Sequence, residues 1–251
     1  MDDKERQTAK TIIFASTNLG RASMLLFVAF IFVGSLGLVN LGFSPAGVLV
    51  WNGALSMLFF LQHSVMIRRG FRVWLGRLTP PHYIDAIFSI VSSLLLIAVA
   101  LLWQPSAAKI VDLEGVARWA ARGVFFLAMA GLVWGVLSLK SFEPFGRRAI
   151  KNYLEAREPR PQQFSAQGPY LWVRHPLYSL LVVMFWSCPD LTADRLLFNL
   201  LWTAWMYLGT VLEERDLVAD FGDEYRAYQK QVPMLVPWKI PAGNNRRSVR
   251  P

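Results

Sequence analysis

The chain has 251 residues, of which 54% are hydrophobic and only 17% are charged, against roughly 25% charged residues in soluble globular proteins. This composition argues against a soluble domain and indicates a membrane protein, and the net charge of +9 comes without any zinc-finger spacing or aromatic RNA-binding strand that would predict a nucleic-acid partner. The single cysteine, Cys188, excludes an intrachain disulfide framework and a multi-cysteine metal site.

Four apolar runs are long enough to cross a bilayer, which takes about 20 residues. They cover 22–43, 46–67, 86–103 and 123–139, and none contains Lys, Arg, Asp or Glu. A fifth apolar region is interrupted at 187–190, between a short run at 177–186 and a spanning run at 196–212. The two halves predict a helical hairpin, whether 173–188 crosses the bilayer whole or is re-entrant.

The basic residues predict the orientation of these spans, because Lys and Arg favour the cytoplasmic side. If successive segments alternate, 22 of the 26 basic residues fall on one side. The other four are Lys109, Arg118, Arg122 and, in the turn of the hairpin, Arg195. We therefore expect both termini to be cytoplasmic in a bacterial inner membrane, with no cleaved signal peptide.

This alternation divides the chain into four predicted parts. A cytoplasmic segment at 1–21 precedes a four-helix transmembrane region at 22–139. A catalytic region with the hairpin and a cytoplasmic site follows at 140–238, and a basic disordered tail ends the chain at 239–251. The predicted fold is all-α and polytopic, with five or six transmembrane helices.

The most informative stretch begins at Gly168 and places Arg174 and His175 at the start of a helix. A Gly-Pro pair marks a turn at its beginning, and Pro176 suits the first helical position, where no N–H is needed. A helix N-terminus favours anionic groups, so the pair predicts a site for a ligand carboxylate. Arg174 alone would equally suit a membrane anchor, but His175 and Tyr178 beside it favour function.

A second motif closes the last apolar run, where Glu213 and Glu214 are adjacent. Acids are unfavourable at the C-terminal end of a helix, unless the helix continues past the membrane. One apolar face then follows at helical spacing: Leu217, Phe221, Tyr225 and Tyr228. We assign that face largely to packing, and we expect the two acids to meet a cationic or hydroxyl-bearing ligand held by Arg174 and His175.

Two motifs together carry a family resemblance: Arg-His-Pro-x-Tyr, and Glu-Glu followed by Phe-Gly, two tyrosines and Val-Pro. They resemble the membrane methyltransferases related to isoprenylcysteine carboxyl methyltransferase and to phospholipid N-methyltransferases. The resemblance covers about 141–238. A narrower one, to the methanethiol S-methyltransferase subgroup, extends it to most of 46–238. It is carried by Leu61-Gln62-His63-Ser64-Val65-Met66, Phe71, Pro80-Pro81, Trp103-Gln104-Pro105 and Met234-Leu235-Val236-Pro237.

The resemblance implies that S-adenosyl-L-methionine binds on the cytoplasmic side. The cofactor site would be lined by Gly168, Tyr170, Arg174, His175, Tyr178, Glu213 and Glu214. Arg174 and His175 suit the carboxylate of this donor, the glutamates suit its ammonium or ribose, and aromatic rings suit adenine and the sulfonium. The catalytic residues that we predict are His63, Arg174 and Glu214, with no metal.

The predicted reaction methylates a small thiol, methanethiol, to dimethyl sulfide at the lipid bilayer. The thiol must first become a thiolate. His63 is either the base for this step or an interfacial histidine without a catalytic role. Two alternatives stay open: methylation of a prenylated cysteine carboxyl or a lipid amine, and a non-enzymatic membrane assembly or transport protein.

Overall fold

The structure is a computed structural model that describes residues 3–139, 143–158 and 164–239. The helices are α1 (Asp3–Val33), α2 (Pro45–Met66), α3 (Arg69–Leu75), α4 (Ile84–Leu102), α5 (Gly115–Ser138), α6 (Arg147–Leu154), α7 (Pro176–Trp186) and α8 (Ala193–Gln231). Two short strands, β1 (Lys109–Asp112) and β2 (Asp190–Thr192), pair antiparallel. Single 3-10 turns form at Pro81–Tyr83 and Gly168–Leu171. All but the first residue of the predicted tail at 239–251 lies outside the described residues.

Five of the described helices are long and apolar enough to cross a membrane: α1, α2, α4 with the 3-10 turn before it, α5 and α8. The chain is therefore an all-α polytopic membrane protein, and the predicted C-terminal hairpin is present as α7 and α8. Helix α7 of the hairpin is shorter than any of these five helices. Its 11 residues rise about 16 Å, roughly half of a 30 Å hydrocarbon core.

The first helix differs most from its predicted bounds. The apolar run at 22–43 predicts a span there, whereas α1 begins at Asp3 and ends at Val33. Its first turns are helical because Ala9 is buried against Tyr83 and Ile150 of neighbouring segments. The last ten residues of the run form a loop instead, which contains three glycines at positive φ. Residues 3–21 of the predicted cytoplasmic segment thus belong to the same helix as the first span.

Aromatic rings dominate the core between the helices. The ring of Phe30 in α1 lies 5.1 Å from that of Phe198 in α8, edge to face, and the ring of Phe27 lies 4.9 Å from Trp202. Phe185 of α7 joins them, at 5.2 Å from Phe198. Such pairs add to the stability that area burial provides, so this cluster ties α1, α7 and α8 together.

Helix α5 approaches α7 closely through two glycines one turn apart. A Cβ atom at Gly135 would lie 2.6 Å from a methyl group of Leu177, and one at Gly131 would lie 3.1 Å from Leu180. Small residues at this spacing let membrane helices pack closely. The contact holds the start of α7 against α5.

The segments that connect the helices lie at two opposite ends of the bundle, as their contacts show. At one end β1 pairs with β2, and the indole of Trp103 donates to the carboxylate of Asp194 at 2.9 Å. At the opposite end the hydroxyl of Tyr153 in α6 donates to Glu5 at the start of α1. This arrangement agrees with the alternation that puts 22 basic residues on one side; which end is cytoplasmic stays a prediction.

Arg195 lies in the first turn of α8, beyond the hairpin turn in which the sequence pattern locates it. Its side chain is buried and donates to the carbonyl oxygens of Phe30, at 3.1 Å, and Ile31. Its guanidinium also lies 5.4 Å from the centre of the Phe198 ring. The last carbonyls of a helix lack partners and attract cations, so Arg195 caps the end of α1.

Replacing Arg195 by Met should destabilise the protein strongly. The apolar side chain leaves the carbonyl of Ile31 without the donor that Arg195 provides, at about 1–3 kcal/mol, whereas the carbonyl of Phe30 keeps a bond of 2.8 Å from the N–H of Gly34. The control is Arg69→Met, since Arg69 is exposed and its ion pair with Asp220 is at the surface, where such pairs contribute about 0–1 kcal/mol. Chemical unfolding in detergent measures both, and equal losses would contradict the capping role.

Candidate functional site

The two residues before α7 are held by the C-terminal segment of the chain. The backbone N–H of Arg174 donates to the carbonyl of Pro233 at 2.9 Å, and that of His175 donates to Met234 at 3.1 Å. Pro176 occupies the first helical position, as predicted. These bonds fix the start of α7 beside the segment that follows α8.

Arg174 and Glu214 form a buried bidentate ion pair. The Nε and Nη2 atoms of Arg174 donate to the two carboxylate oxygens at 2.8 and 3.0 Å, and the two side chains are 11% and 10% exposed. The remaining Nη1 atom donates to the carbonyls of Gln229, at 3.1 Å, and Val232. Paired donation of this kind is both strong and geometrically specific, and it commits the guanidinium to groups within the protein.

Glu214 accepts hydrogen bonds from three further side chains. The Nε2 atom of His175 lies 2.6 Å from Oε1, the hydroxyl of Tyr225 donates to the same oxygen at 2.8 Å, and the amide of Gln229 donates to Oε2. Together with the two bonds from Arg174, these fill the roughly four lone-pair positions of a carboxylate. Glu214 therefore has no acceptor capacity left for a ligand.

Glu213 has a different environment, because adjacent residues on a helix point in different directions. Its carboxylate accepts a hydrogen bond of 2.7 Å from the hydroxyl of Tyr178 and lies 3.9 Å from Nδ1 of His175. Its side chain is 43% exposed. Of the two acids, Glu213 is the one that retains an accessible oxygen for a ligand.

Gly168 and Tyr170 lie in the 3-10 turn before α7, and the phenol of Tyr170 lies near the carboxylate of Glu213. Gly168 has φ +57°, and a Cβ atom there would lie 2.3 Å from Oγ of Ser138, so the turn requires glycine. The carbonyl of Tyr170 accepts a hydrogen bond from the hydroxyl of Tyr228. Burial, and then the charge of Glu213, raises the pKa of Tyr170 to about 12, so its phenol stays protonated.

A break at Gly222 returns the end of α8 to the cluster. The helical spacing of this region predicts a continuous helix, but Gly222 has φ 57° and ψ −129°, a combination that only glycine adopts readily. Beyond the break, Tyr225 and Gln229 reach back to Glu214. The sequence offered a hint in the Phe-Gly pair, since glycine inside a helical pattern can interrupt it.

The apolar face predicted after Glu214 packs against one residue that the motifs did not indicate, Phe164. Its ring lies 5.7 Å from Phe221, 5.6 Å from Tyr225 and 5.1 Å from Tyr228. This packing covers the hydrogen-bonded side of the cluster. Tyr225, which the spacing groups with the packing face, is at the same time a partner of Glu214.

His63 is the predicted site residue that the structure keeps apart from the cluster. Its ring lies among Phe59, Phe88 and Trp205, at centroid distances of 5.4, 4.9 and 5.4 Å. Trp205 precedes Glu213 by eight residues in α8, which is about 12 Å along the axis. The Nδ1 atom of His63 is buried and has no hydrogen-bond partner among the described residues.

The accessible side of the cluster suits a ligand with ammonium or hydroxyl groups. Glu213 offers a free carboxylate oxygen, and the phenols of Tyr170 and Tyr178 lie beside it. Aromatic faces attract cations as well. The geometry therefore brings six of the predicted cofactor-site residues together where the 3-10 turn and the start of α7 meet the middle of α8, and it packs the seventh, Gly168, against α5. The ligand roles assigned to them stay predictions.

Comparison with known proteins finds relatives over most of the chain. It is 35% identical over 199 residues to "Methanethiol S-methyltransferase 1" of Bradyrhizobium diazoefficiens, which is 78% of this chain and 69% of that protein. It is 37% identical over 198 residues (77% and 74%) to the protein named "Methanethiol S-methyltransferase" in a Pseudomonas species, and 36% identical over 200 residues (78% and 81%) to that of Mycobacterium tuberculosis. A more distant relative is "Nurim" of Rattus norvegicus, at 25% over 193 residues (67% and 68%). No family model matches the chain, and no solved structure matches it.

The two adjacent glutamates should differ sharply in their effect on stability. Glu214→Ala leaves the guanidinium of Arg174 buried without its partner, which costs roughly 3–5 kcal/mol. Glu213→Ala removes a half-exposed carboxylate with one hydrogen bond, which costs about 1 kcal/mol. Thermal and chemical unfolding in detergent compares the two variants. A stability loss at Glu213 as large as that at Glu214 would contradict the assigned division between them.

Proposed function

The chain belongs to the methanethiol S-methyltransferase family, and from that premise we propose that it transfers a methyl group from S-adenosylmethionine to methanethiol, giving dimethyl sulfide. The observation that carries the proposal is the cluster in which Arg174 and His175 contact Glu214 while Glu213 stays accessible beside them. The cluster combines a fixed cation, a histidine and a free carboxylate at the start of one helix. Its accessible part, the carboxylate of Glu213 beside two tyrosines, suits the ammonium and hydroxyl groups of the methyl donor.

The accessible residues fit the chemical groups of this donor. Glu213 would accept hydrogen bonds from its ammonium or its ribose hydroxyls, and the faces of Tyr170 and Tyr178 would attract positive charge. The N-terminal end of α7 favours the carboxylate. When bound, the donor supplies an electrophilic methyl group on a sulfonium.

Arg174 and Glu214 would then act by positioning rather than by direct contact with the donor. Their hydrogen bonds are made to each other and to the backbone near Gln229 and Val232. That network holds His175 and the start of α7 against α8. Holding reactants in line can itself contribute about 7–11 kcal/mol of barrier lowering, so a shift of this cluster would slow methyl transfer without any lost contact to the donor.

We also propose that the site faces the cytoplasm, together with both termini, in a bacterial inner membrane. The support is the uneven distribution of basic residues, 22 of 26 on the side of the site. The donor is made in the cytoplasm, whereas a small apolar thiol partitions into lipid. A membrane-embedded enzyme with its site at the inner surface can receive both.

A panel of acceptors tests the proposed reaction. Purified protein in detergent, given S-adenosylmethionine, should form S-adenosylhomocysteine with methanethiol at a rate well above that with hydrogen sulfide, a farnesyl-cysteine analogue or a lipid amine. Preference for the farnesyl-cysteine analogue or the amine would replace the thiol by another acceptor class. No product with any acceptor, together with no heat of donor binding, would contradict methyl transfer altogether.

Glu213→Gln should weaken donor binding while the protein stays folded. The change removes the charge that would pair with the donor ammonium and keeps the shape of the side chain. Hydrogen bonds to charged groups contribute about 1.5–3 kcal/mol, so we expect the dissociation constant for S-adenosylmethionine to rise at least about tenfold. Isothermal calorimetry measures it, with Asp223→Asn on an exposed turn of α8 as the control. An unchanged constant would remove Glu213 from the donor site.

A further inference from the structure

His175 is held in a single orientation at the start of α7. Its backbone N–H donates to Met234, its side chain is 4% exposed, and its ring stacks on that of Tyr178 at 5.8 Å with an angle of 13° between the planes. The ring therefore presents its two nitrogens in two fixed directions. Nε2 points to Glu214, and Nδ1 points towards Glu213.

The contact with Glu214 determines which nitrogen carries the hydrogen. A carboxylate only accepts hydrogen bonds, and Nε2 lies 2.6 Å from Oε1 of Glu214. The neutral ring must therefore carry its hydrogen on Nε2, because the partner of one nitrogen sets the tautomer of the other. Nδ1 then has a lone pair, and it makes no hydrogen bond to any of the described residues. The oxygen of Glu213 at 3.9 Å is beyond hydrogen-bond distance.

The proposed reaction needs a group of this kind, since a thiol at neutral pH is mostly protonated and the thiolate is the nucleophile. Other candidates fit less well. Glu214 has its acceptor positions filled, and the hydroxyl of Tyr178 is a donor to Glu213. His63 packs against Trp205, which precedes Glu213 by about 12 Å along α8.

We propose that His175 is the general base of the reaction, acting through Nδ1; the assignment rests on the proposed function. The S–H bond of the thiol breaks and its proton binds Nδ1. The sulfur electron pair forms the new bond to the methyl carbon, and the bond from that carbon to the sulfonium breaks with its electrons left on the donor sulfur. The proton then leaves through Glu213, which is 43% exposed.

The surroundings of the ring stabilise it once it is protonated. Nε2–H remains bonded to Glu214, and Nδ1–H faces the carboxylate of Glu213, so two negative groups flank the cation. Among the residues that the structure describes, Arg174 is the one positive side chain in direct contact with this pair, and its charge is offset by Glu214. Tyr178 and Tyr225 contribute neutral hydroxyls that donate to the same two carboxylates. Glu214 thus acts as the carboxylate that orients a catalytic histidine.

His175→Gln separates this role from a structural one. The amide of glutamine can still donate to Glu214, but it supplies no basic lone pair. With methanethiol we expect kcat to fall about 100-fold or more, while calorimetry shows a dissociation constant for S-adenosylmethionine within about threefold of wild type. With methaneselenol, which is already ionised at neutral pH, the loss should shrink to under about tenfold, because no base is needed.

The control variant is His82→Gln, in which the change is identical but the residue stacks on Tyr153 of α6, outside the hydrogen-bonded cluster around Glu214. It should keep wild-type rates with both acceptors. Equal losses for thiol and selenol in His175→Gln would overturn the proposal, and so would an acceptor-dependent loss that appears in His63→Gln instead. Absence of turnover in the wild type would contradict the proposed function itself, which keeps the two failures distinct.

A spectroscopic measurement tests the same proposal without turnover. The chain has three histidines, so selective 15N labelling with single-residue variants assigns each ring. We expect the His175 ring in the resting protein to be the tautomer with hydrogen on Nε2 and a bare Nδ1. Hydrogen on Nδ1 instead would overturn the assignment even if His175→Gln does not fold.

Discussion

The structure depends most on a single buried carboxylate, that of Glu214. A charge removed from water is tolerated only if it is paired and its hydrogen-bonding positions are filled. Two separate segments meet that requirement: Arg174 and His175 before α7, and the last turns of α8 after Gly222, which supply Tyr225 and Gln229. The position of each is therefore set by one side chain, and the accessible acid beside it, Glu213, takes its place from the same arrangement.

Both ends of the bundle use an arginine in the same way. Arg174 donates to carbonyls near the end of α8, and Arg195 donates to carbonyls at the end of α1. In each case a side chain donates to backbone carbonyls at or near the end of a helix that is distant in sequence. Arginine suits this role because it stays charged and presents five donors in a fixed plane. The guanidinium groups thus act as cross-links at the two surfaces, while aromatic rings fill the space between them.

Much of the fold could be predicted from residue patterns, because the bilayer imposes a simple rule on each helix separately. The runs at 46–67 and 86–103 match α2 and α4 to within two residues. The approach of Arg174 and His175 to the two glutamates was also predictable, since a hairpin returns its ends to one side. The periodicity of the sequence does not show which side chains will contact each other across different segments. The return of the chain at Gly222, and the different burial of the two adjacent acids, arise from contacts between segments.

Because α7 is short, the apolar surface of the protein has a smaller height at the hairpin than along the longer membrane-spanning helices. Val183 and Trp186 of α7 are 42% and 45% exposed and thus face lipid, yet the helix covers only about half of the hydrocarbon thickness. At its far end lie the charged side chains of Asp190 and Arg118. A bilayer accommodates such a mismatch by thinning locally or by letting the polar strands β1 and β2 enter the membrane. Since Arg174 and His175 lie at the other end of α7, polar groups at the two ends of this helix are separated by only about half of the hydrocarbon thickness.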